Sequence, residues 1–371
     1  MRYVLRAALL LPHDCRRIER KLAHYIVAAA IASASGWMPG TARADEGGVS
    51  FWIPGFFGSL AAVPSQPGFA LQTFAYNTNV NAGADVARAR EFQIGRLDPT
   101  LTLTAAARLH DDTGLEFFIP TYTFKTPVLG GFITTGAVVG VGAGHTSLNG
   151  TVTASIPPFS VTRTDSLGVS AAGNTDLIPL LLWKWHSGVN NFMLYGAGDI
   201  PVGVYDSTSL ANLGIGHGAA DSGFGYTYFD EKKGHEFSAV AGFTYNLINT
   251  STNYQNGVDF HLDWSASQFV TKQWQVGLVG YLYNQVTGDS GSGDHVGSFE
   301  SRVVGIGPQI GYLFPLGKLD GLGEMQGYLN LKAYGEFDAQ NRASGYNVWL
   351  TFSFSPAAPT PPSSARPMYT K

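Results

Sequence analysis

Residues 256–264 alternate between apolar and ionisable side chains without interruption, and this pattern constrains the fold more than any other feature of the chain. The segment reads NGVDFHLDW. Its apolar positions are Val258, Phe260, Leu262 and Trp264, and its ionisable positions are Asp259, His261 and Asp263. Because the side chains of a β-strand point alternately to opposite faces, such a strand needs an apolar medium on one side and water on the other.

The same period of two recurs near both ends of the chain. In residues 101–109, 325–337 and 347–354, apolar residues occupy one face and polar or charged residues the other. A soluble β-sandwich also alternates, but it would normally carry charged residues at about a quarter of its positions. Here 13% of the residues are charged, 13% are aromatic and 46 are glycine. This combination predicts an all-β fold, an antiparallel transmembrane β-barrel with lipid outside and water inside.

The N-terminus has the features of an export signal that is cleaved between Ala44 and Asp45. A basic stretch precedes an apolar core at 22–34, and an A-x-A motif ends at Ala44. The only cysteine, Cys15, lies in this predicted leader, which excludes disulfides and cysteine metal sites from the mature chain. We expect no metal and no cofactor. A net charge of -4 without a basic cluster argues against a nucleic-acid partner.

Composition divides the chain into a signal sequence at 1–44 and three further parts. Residues 45–67 are rich in glycine, proline and aromatic residues and have no steady period. We expect an irregular segment there, either a hatch in the barrel lumen or a lead-in packed at the barrel mouth. Residues 68–355 are predicted to form the barrel. Residues 356–371 are rich in proline and serine, so we expect this tail to be disordered.

The strand number is constrained by parity, because single-chain bacterial barrels have even numbers of strands, short periplasmic turns and long outer loops. About fourteen strands are predicted, with twelve as the alternative because 86–95 and 223–230 are the weakest candidates. In this arrangement the longest connections, 144–176 and 203–222, fall outside the cell. The predicted strands are 68–78, 86–95, 99–109, 115–123, 130–143, 177–185, 191–202, 223–230, 236–248, 257–269, 273–285, 298–314, 325–337 and 345–354.

Ionisable and tyrosine side chains on the polar faces are candidates for lining a substrate path through the barrel. Charged groups of both signs can shape a polar constriction, or they can pair as braces that have no transport role. Both interpretations stay open at this point, and tyrosines would add aromatic surface to the path. The candidate residues are Arg108, Asp259, His261, Asp263, Tyr281, Tyr283, Tyr328, Lys332, Tyr334 and Glu336.

One pair of residues raises the alternative of a membrane lipid hydrolase. His145 and Ser147 are two positions apart, and a serine nucleophile needs a base within hydrogen-bond reach. The pair lies in a predicted loop and has no evident third residue to orient the base. We therefore expect a protein that is not an enzyme, and a Ser147→Ala variant would abolish any lipase activity if the alternative were correct.

Six longer motifs spread over the predicted mature chain carry a family resemblance. They are GGVSFWIPGFFGSLAA (47–62), DIPVGVYD (199–206), YQNGVDFHLDW (254–264), VGLVGYLYNQVTGDSGSG (276–293), SRVVGIGPQIGY (301–312) and EFDAQNR (336–342). Together they resemble the MetA-pathway phenol-degradation proteins, also described as SphA-like outer-membrane transporters. The chain departs from this family in its proline-rich tail, which extends past the family's usual end.

The resemblance implies a role related to that of the outer-membrane channels for long-chain fatty acids and aromatic hydrocarbons. We therefore expect passive uptake of small hydrophobic or aromatic compounds, linked to phenol catabolism, in the outer membrane of a Gram-negative bacterium. The expected partners are outer-membrane lipid and lipopolysaccharide, the substrate itself and the barrel assembly machinery. A general diffusion porin or a purely structural barrel is the alternative.

Overall fold

The computed structural model describes residues 50–82, 104–156, 159–294 and 300–358. The strands in these residues are β1 (Gly68–Ala82), β2 (Thr104–Thr123), β3 (Phe132–Ile156), β4 (Phe159–Asn174), β5 (Ile178–Ser187), β6 (Asn190–Asp199), β7 (Ala219–Asp230), β8 (His235–Asn246), β9 (Asp259–Phe269), β10 (Trp274–Gln285), β11 (Arg302–Leu319), β12 (Gly323–Gln340) and β13 (Ser344–Pro356). Within the same ranges, no helix is long and apolar enough to cross a membrane. The predicted signal sequence, the predicted strand at 86–95 and positions 359–371 of the tail lie outside the described residues.

The sheet closes on itself because the first strand pairs with the last. β1 lies antiparallel to β13, with Leu71 opposite Phe354, and its other edge pairs with β2. The remaining strands follow in chain order, except that β3 pairs with β5 as well as with β4. Twelve strands form the closed antiparallel barrel, and β4 is an extra strand attached to β3. The predicted barrel is therefore confirmed, and the alternative count of twelve describes its closed part.

A long hairpin replaces most of the outer loop that was predicted for 144–176. β3 continues past its pairing with β5 and then pairs with β4, from Val141 opposite Asn174 to Ile156 opposite Phe159. Beyond Leu148, which pairs with Leu109 of β2, this sheet extends past the end of β1. Serine, threonine and glycine are frequent on both faces of the hairpin. Because neither face is strongly apolar, the period of two that identifies a lipid-facing strand is missing here.

Two predicted strands, 99–109 and 115–123, form one strand, β2, as far as the structure describes them. The intervening sequence HDDTG at 110–114 resembles a turn. In the structure it is extended and pairs with β1 on one side and β3 on the other. Ladder hydrogen bonds to two neighbouring strands therefore outweigh the local turn preference.

The two faces of the barrel wall differ in polarity. On β12, Leu329 and Leu331 are 42% and 43% exposed, whereas the intervening Asn330 and the following Lys332 are only 4% and 2% exposed. The outward side chains form a broad apolar surface that suits contact with lipid. Its large members include Phe224, Phe237, Phe243, Leu278, Ile306, Ile310, Leu329, Leu331, Leu350 and Phe352.

The two ends of the barrel differ in the length of their connections. At one end, which we call the short-link end, strands are joined by links such as 188–189, 231–234 and 270–273, and here β1 begins and β13 ends. At the opposite end, the long-loop end, the connections include 200–218 and 247–258. This asymmetry is the one found in outer-membrane barrels, where short turns face the periplasm.

A charge on the outward face of a central strand should destabilise the barrel in lipid. We expect Leu331→Arg to lower the free energy of unfolding by about 2–4 kcal/mol, because the guanidinium would lie in hydrocarbon near the membrane midplane. Denaturant titration of barrel folding in lipid vesicles measures this change. Leu331→Ala is the matched control, and it should cost clearly less. Equal losses in the two variants would contradict a lipid-facing position for residue 331.

Candidate functional site

Residues 50–67, which we call the lumenal segment, lie inside the barrel and have no regular secondary structure. The segment runs directly into β1 at the short-link end and extends up the bore as far as Ser50, which Arg342 contacts near the long-loop end. Twelve strands about 4.8 Å apart and tilted by about 40° enclose a backbone cylinder roughly 24 Å across. Inward side chains alone fill a barrel of about eight strands. A segment of chain therefore fits the larger bore of this barrel.

Asp263 of β9 and Lys332 of β12 hold the centre of the lumenal segment from the barrel wall. The Asp263 carboxylate accepts hydrogen bonds from the backbone N–H groups of Gly55 at 2.8 Å and Phe57 at 3.0 Å. The Lys332 ammonium donates to the Gly55 carbonyl at 2.6 Å. Gly55 has a φ of +89°, and a Cβ there would lie 3.1 Å from the Tyr334 ring. Glycine therefore suits this position, because it combines a left-handed backbone with close packing.

The part of the segment nearer the short-link end is held in the same way. Glu236 of β8 accepts a hydrogen bond from the backbone N–H of Leu60 at 3.1 Å, and Thr227 accepts one from Ala62 at 3.1 Å. Lys184 donates to the Val63 carbonyl at 3.4 Å. The wall thus binds mainly the backbone polar groups of the segment, which would be costly to bury without partners.

An aromatic contact holds the part of the lumenal segment that lies nearer the long-loop end than Gly55. Trp52 stacks on the His261 ring with 3.7 Å between ring centroids and 12° between planes. The His261 Nε2 lies 2.9 Å from an Asp221 carboxylate oxygen, and both side chains are buried. Trp52 also contacts the rings of Phe56 and Tyr195. The indole and the phenylalanines supply the apolar contacts of a segment whose backbone is held by polar groups.

Most of the predicted path residues face inward, and several of them contact each other. Tyr283 donates to Asp259 at 2.7 Å, and Tyr281 donates to Glu336 at 2.6 Å. Tyr328 donates to Gln275 at 2.9 Å. Tyr334 packs beside Tyr281 with ring centroids 4.9 Å apart. The structure thus brings together the predicted residues of β9, β10 and β12. Asp263 and Lys332 bind the lumenal segment and do not line an open pore.

The prediction that Arg108 faces the lumen is wrong. Arg108 is exposed, and it lies on the opposite face of β2 from Leu109, which is buried and packs in one cluster with Leu148 and Leu210. At the long-loop end the interior is closed by apolar loop residues, and the outer face of β2 is polar. At positions 108 and 109 the outward side chain is charged and the inward one is apolar, the reverse of the lipid-facing wall, and this local reversal misplaced Arg108.

Sequence reasoning missed the wall residues that bind the end of the segment nearer the short links. Glu236 and Ser238 alternate with Phe237 and Ala239 in β8, and this local period of two was the available signal. Lys184 follows an apolar run in β5 and gives no comparable signal. Its role depends on a contact with Val63, more than a hundred residues away in the chain.

A cavity of about 150 Å³ lies at the long-loop end, above the lumenal segment. Its floor includes Trp52 and Ile53, and its roof includes Leu210 and Leu213 from the loop 200–218. The carboxylate of Asp176 fixes this loop by accepting backbone hydrogen bonds at 2.7 Å from Gly203 and from Ile215. The cavity thus lies between the lumenal segment and a loop that is anchored to the barrel. Its side walls come from β1, β2, β3, β12 and β13.

The residues of the hydrolase alternative do not form the expected pair. His145 Nδ1 lies 2.9 Å from the hydroxyl of Ser170, its direct cross-strand neighbour on β4, rather than from that of Ser147. In the described part of the chain, no carboxylate within hydrogen-bond distance orients this histidine. The same part of the chain contains no cluster of three or more histidine, cysteine, aspartate or glutamate residues that could hold a metal ion.

Comparison with solved structures shows a fold shared with a bacterial channel. The outer membrane channel of Pseudomonas putida F1 matches with a TM-score of 0.53 and 11% identity, over 81% of this chain and 98% of that one. A FadL homologue from Pseudomonas aeruginosa is also 11% identical and matches 86% of this chain and 98% of its own, but its TM-score of 0.35 is too low to indicate a common fold. No match was found among curated proteins.

A family model accounts for most of the chain. The model described as "Putative MetA-pathway of phenol degradation" matches residues 72–352. The match covers the barrel from β1 to β13 and spans well over half of the 371 residues. It agrees with the resemblance seen in the sequence motifs. The chain belongs to this phenol-degradation family.

Proposed function

We propose that this protein is an outer-membrane channel for passive uptake of small hydrophobic or aromatic compounds. The observation that carries the proposal is the cavity between the lumenal segment and the loop 200–218, inside a barrel with an apolar outer surface. A cavity of about 150 Å³ is large enough for one aromatic ring. Its apolar lining includes Ile53, Leu109, Leu115, Leu213 and Ile215.

The proposed location is the outer membrane of a Gram-negative bacterium, after cleavage of the leader between Ala44 and Asp45. In this proposal the short-link end faces the periplasm and the long-loop end faces the outside of the cell, as short and long connections do in outer-membrane barrels. In this orientation the cavity opens toward lipopolysaccharide, whose polar surface resists apolar solutes. The barrel assembly machinery would insert the chain, with β1 and β13 forming the closing pair.

The lumenal segment acts in this proposal as a hatch. A solute that enters from the long-loop end reaches the cavity first, and the segment lies below it in the bore. Since Asp263, Lys332 and Glu236 bind the segment by hydrogen bonds, passage requires these bonds to exchange for water. A general diffusion porin, the alternative function, would need an open aqueous bore. Liposome swelling separates the two: rapid entry of small sugars would favour the porin.

Uptake by intact cells tests the proposal directly. A deletion strain should accumulate labelled aromatic compounds more slowly than the same strain with the gene restored. We expect restoration with a Leu213→Trp variant to fail, with uptake reduced about tenfold, because the larger side chain fills the cavity from its roof. Leu278→Trp is the matched control, since Leu278 is 50% exposed on the outer wall and should tolerate an indole in lipid. Equal uptake with and without the gene would overturn the proposal.

A further inference from the structure

Arg342 projects into the cavity from the short turn between β12 and β13. The turn is fixed by Asn341, which has a left-handed φ of +51° and donates its side-chain amide to the Glu300 carbonyl at 3.1 Å. The Arg342 guanidinium carbon lies 4.5 Å from the centre of the Tyr283 ring. This cation–π contact holds the flat guanidinium against Tyr283 of the β10 wall.

The guanidinium of Arg342 has few partners among the described residues. It has five N–H donors, and its hydrogen bond to Ser50 is long, at 3.4 Å. Within the described ranges, no carboxylate lies at salt-bridge distance from it. Arg302, at the same end of the barrel, instead binds the Asp338 carboxylate at 2.9 Å. Among the residues that the structure describes, Arg342 therefore has guanidinium donors that no carboxylate occupies, and these donors lie at the cavity.

The two acidic residues of the cavity are already engaged by other donors. Asp111 accepts hydrogen bonds from Thr146 at 2.6 Å and from Thr113 at 2.9 Å, one on each carboxylate oxygen. Glu336 accepts from Tyr281 at 2.6 Å and from the backbone N–H of Gly345 at 2.9 Å. These donors stabilise both negative charges in place. Neither acid serves as the counter-ion of Arg342.

We propose that Arg342 binds the acidic group of an aromatic carboxylate in this cavity. A carboxylate matches the guanidinium fork with two parallel hydrogen bonds, and the apolar walls that include Leu115, Leu213 and Ile215 take the ring. The inference rests on the proposed function and narrows its substrate class to acids with one aromatic ring. Because Arg342 also contacts Ser50, a bound acid would compete with the lumenal segment for the same guanidinium.

Ligand titrations of the purified full-length protein in detergent test this assignment. Benzoate is the acidic probe, and benzyl alcohol is the uncharged probe of similar size. We expect Arg342→Gln to weaken benzoate binding at least tenfold and to leave benzyl alcohol binding within twofold of the unaltered protein. Arg342→Lys should recover only part of the benzoate affinity, since an ammonium cannot form the two-bond fork. Arg302→Gln is the matched control and should bind both probes normally.

The possible results separate this inference from the proposed function. If benzyl alcohol binds and benzoate does not, or if Arg342→Gln binds benzoate as well as the unaltered protein, Arg342 is not a carboxylate anchor and the channel proposal stands. If neither probe binds and aromatic uptake is also absent, both proposals fail. Heat-dependent mobility on electrophoresis shows in each case that the barrel of the variant is folded.

Discussion

Deleting residues 45–66 should convert a nearly closed barrel into an open pore. The lumenal segment fills a bore that is roughly 24 Å across at the backbone, and inward side chains alone would leave a channel on the order of 10 Å wide. We expect single-channel conductance in planar bilayers to rise by roughly tenfold or more on deletion, as porin-sized aqueous openings conduct freely. Small sugars should then enter liposomes that exclude them when they carry the intact protein.

The deletion variant should still fold as a barrel. Pro67 and β1 remain, so the closing pair of strands is unchanged and the barrel should still show heat-dependent electrophoretic mobility. The acidic and basic wall groups that held the segment gain water in its place, which limits the cost of losing their partners. An unchanged conductance in a folded deletion variant would show that the segment does not obstruct the bore.

Replacing Asp263 should release the centre of the lumenal segment without removing it. Asp263→Ala removes two charge-assisted hydrogen bonds, to the backbone N–H groups of Gly55 and Phe57. Such bonds contribute about 1.5–3 kcal/mol each, so a loss of about 3 kcal/mol would raise the released fraction roughly 100-fold. The released fraction in Asp263→Asn should fall between those of the unaltered protein and Asp263→Ala, because asparagine keeps one acceptor oxygen. The expected result is frequent opening events in single-channel recordings.

Thiol labelling gives a second measurement of this release. The chain has one cysteine, Cys15, and it lies in the predicted leader, so Ser59→Cys should introduce the only thiol of the mature protein. Labelling of residue 59 by a water-soluble reagent should be faster in the Asp263→Ala background. Asp259→Ala is the matched control, since Asp259 lies on the same strand face but bonds Tyr283 and Asn246 of the wall. Equal acceleration by both substitutions would contradict a specific role for Asp263.

The sequence predicted the fold well wherever lipid imposes a period of two. The strands β8 to β13 were placed to within a few residues, because each has one face in hydrocarbon and one in the bore. The hairpin of β3 and β4 was missed because its two faces have similar polarity. At Leu109 the apolar side chain points inward to Leu210, so alternation alone could not assign the lumenal face of β2.

The candidate site could be predicted only in part, and the reason is sequence separation. Alternation selected Asp263 and Lys332 as inward residues, but nothing local shows that both meet Gly55, which is 208 residues from Asp263 in the chain. Arg342 lies in a turn rather than a strand, so a period of two cannot assign it to a face. Its place in the cavity follows from the left-handed backbone at Asn341, a conformation that the sequence does not specify.

The wall of this barrel holds its lumenal segment largely by main-chain groups, and this makes the protein resemble a receptor with a tethered peptide ligand. The bonded groups are the N–H of Gly55, Phe57, Leu60 and Ala62 and the carbonyls of Gly55 and Val63. A short tether supplies a millimolar effective concentration, so even weak intrinsic affinity keeps such a ligand bound. Occupancy is then set by the connection to β1 as much as by the contacts. A free peptide of the same sequence should therefore close the truncated barrel only at high concentration.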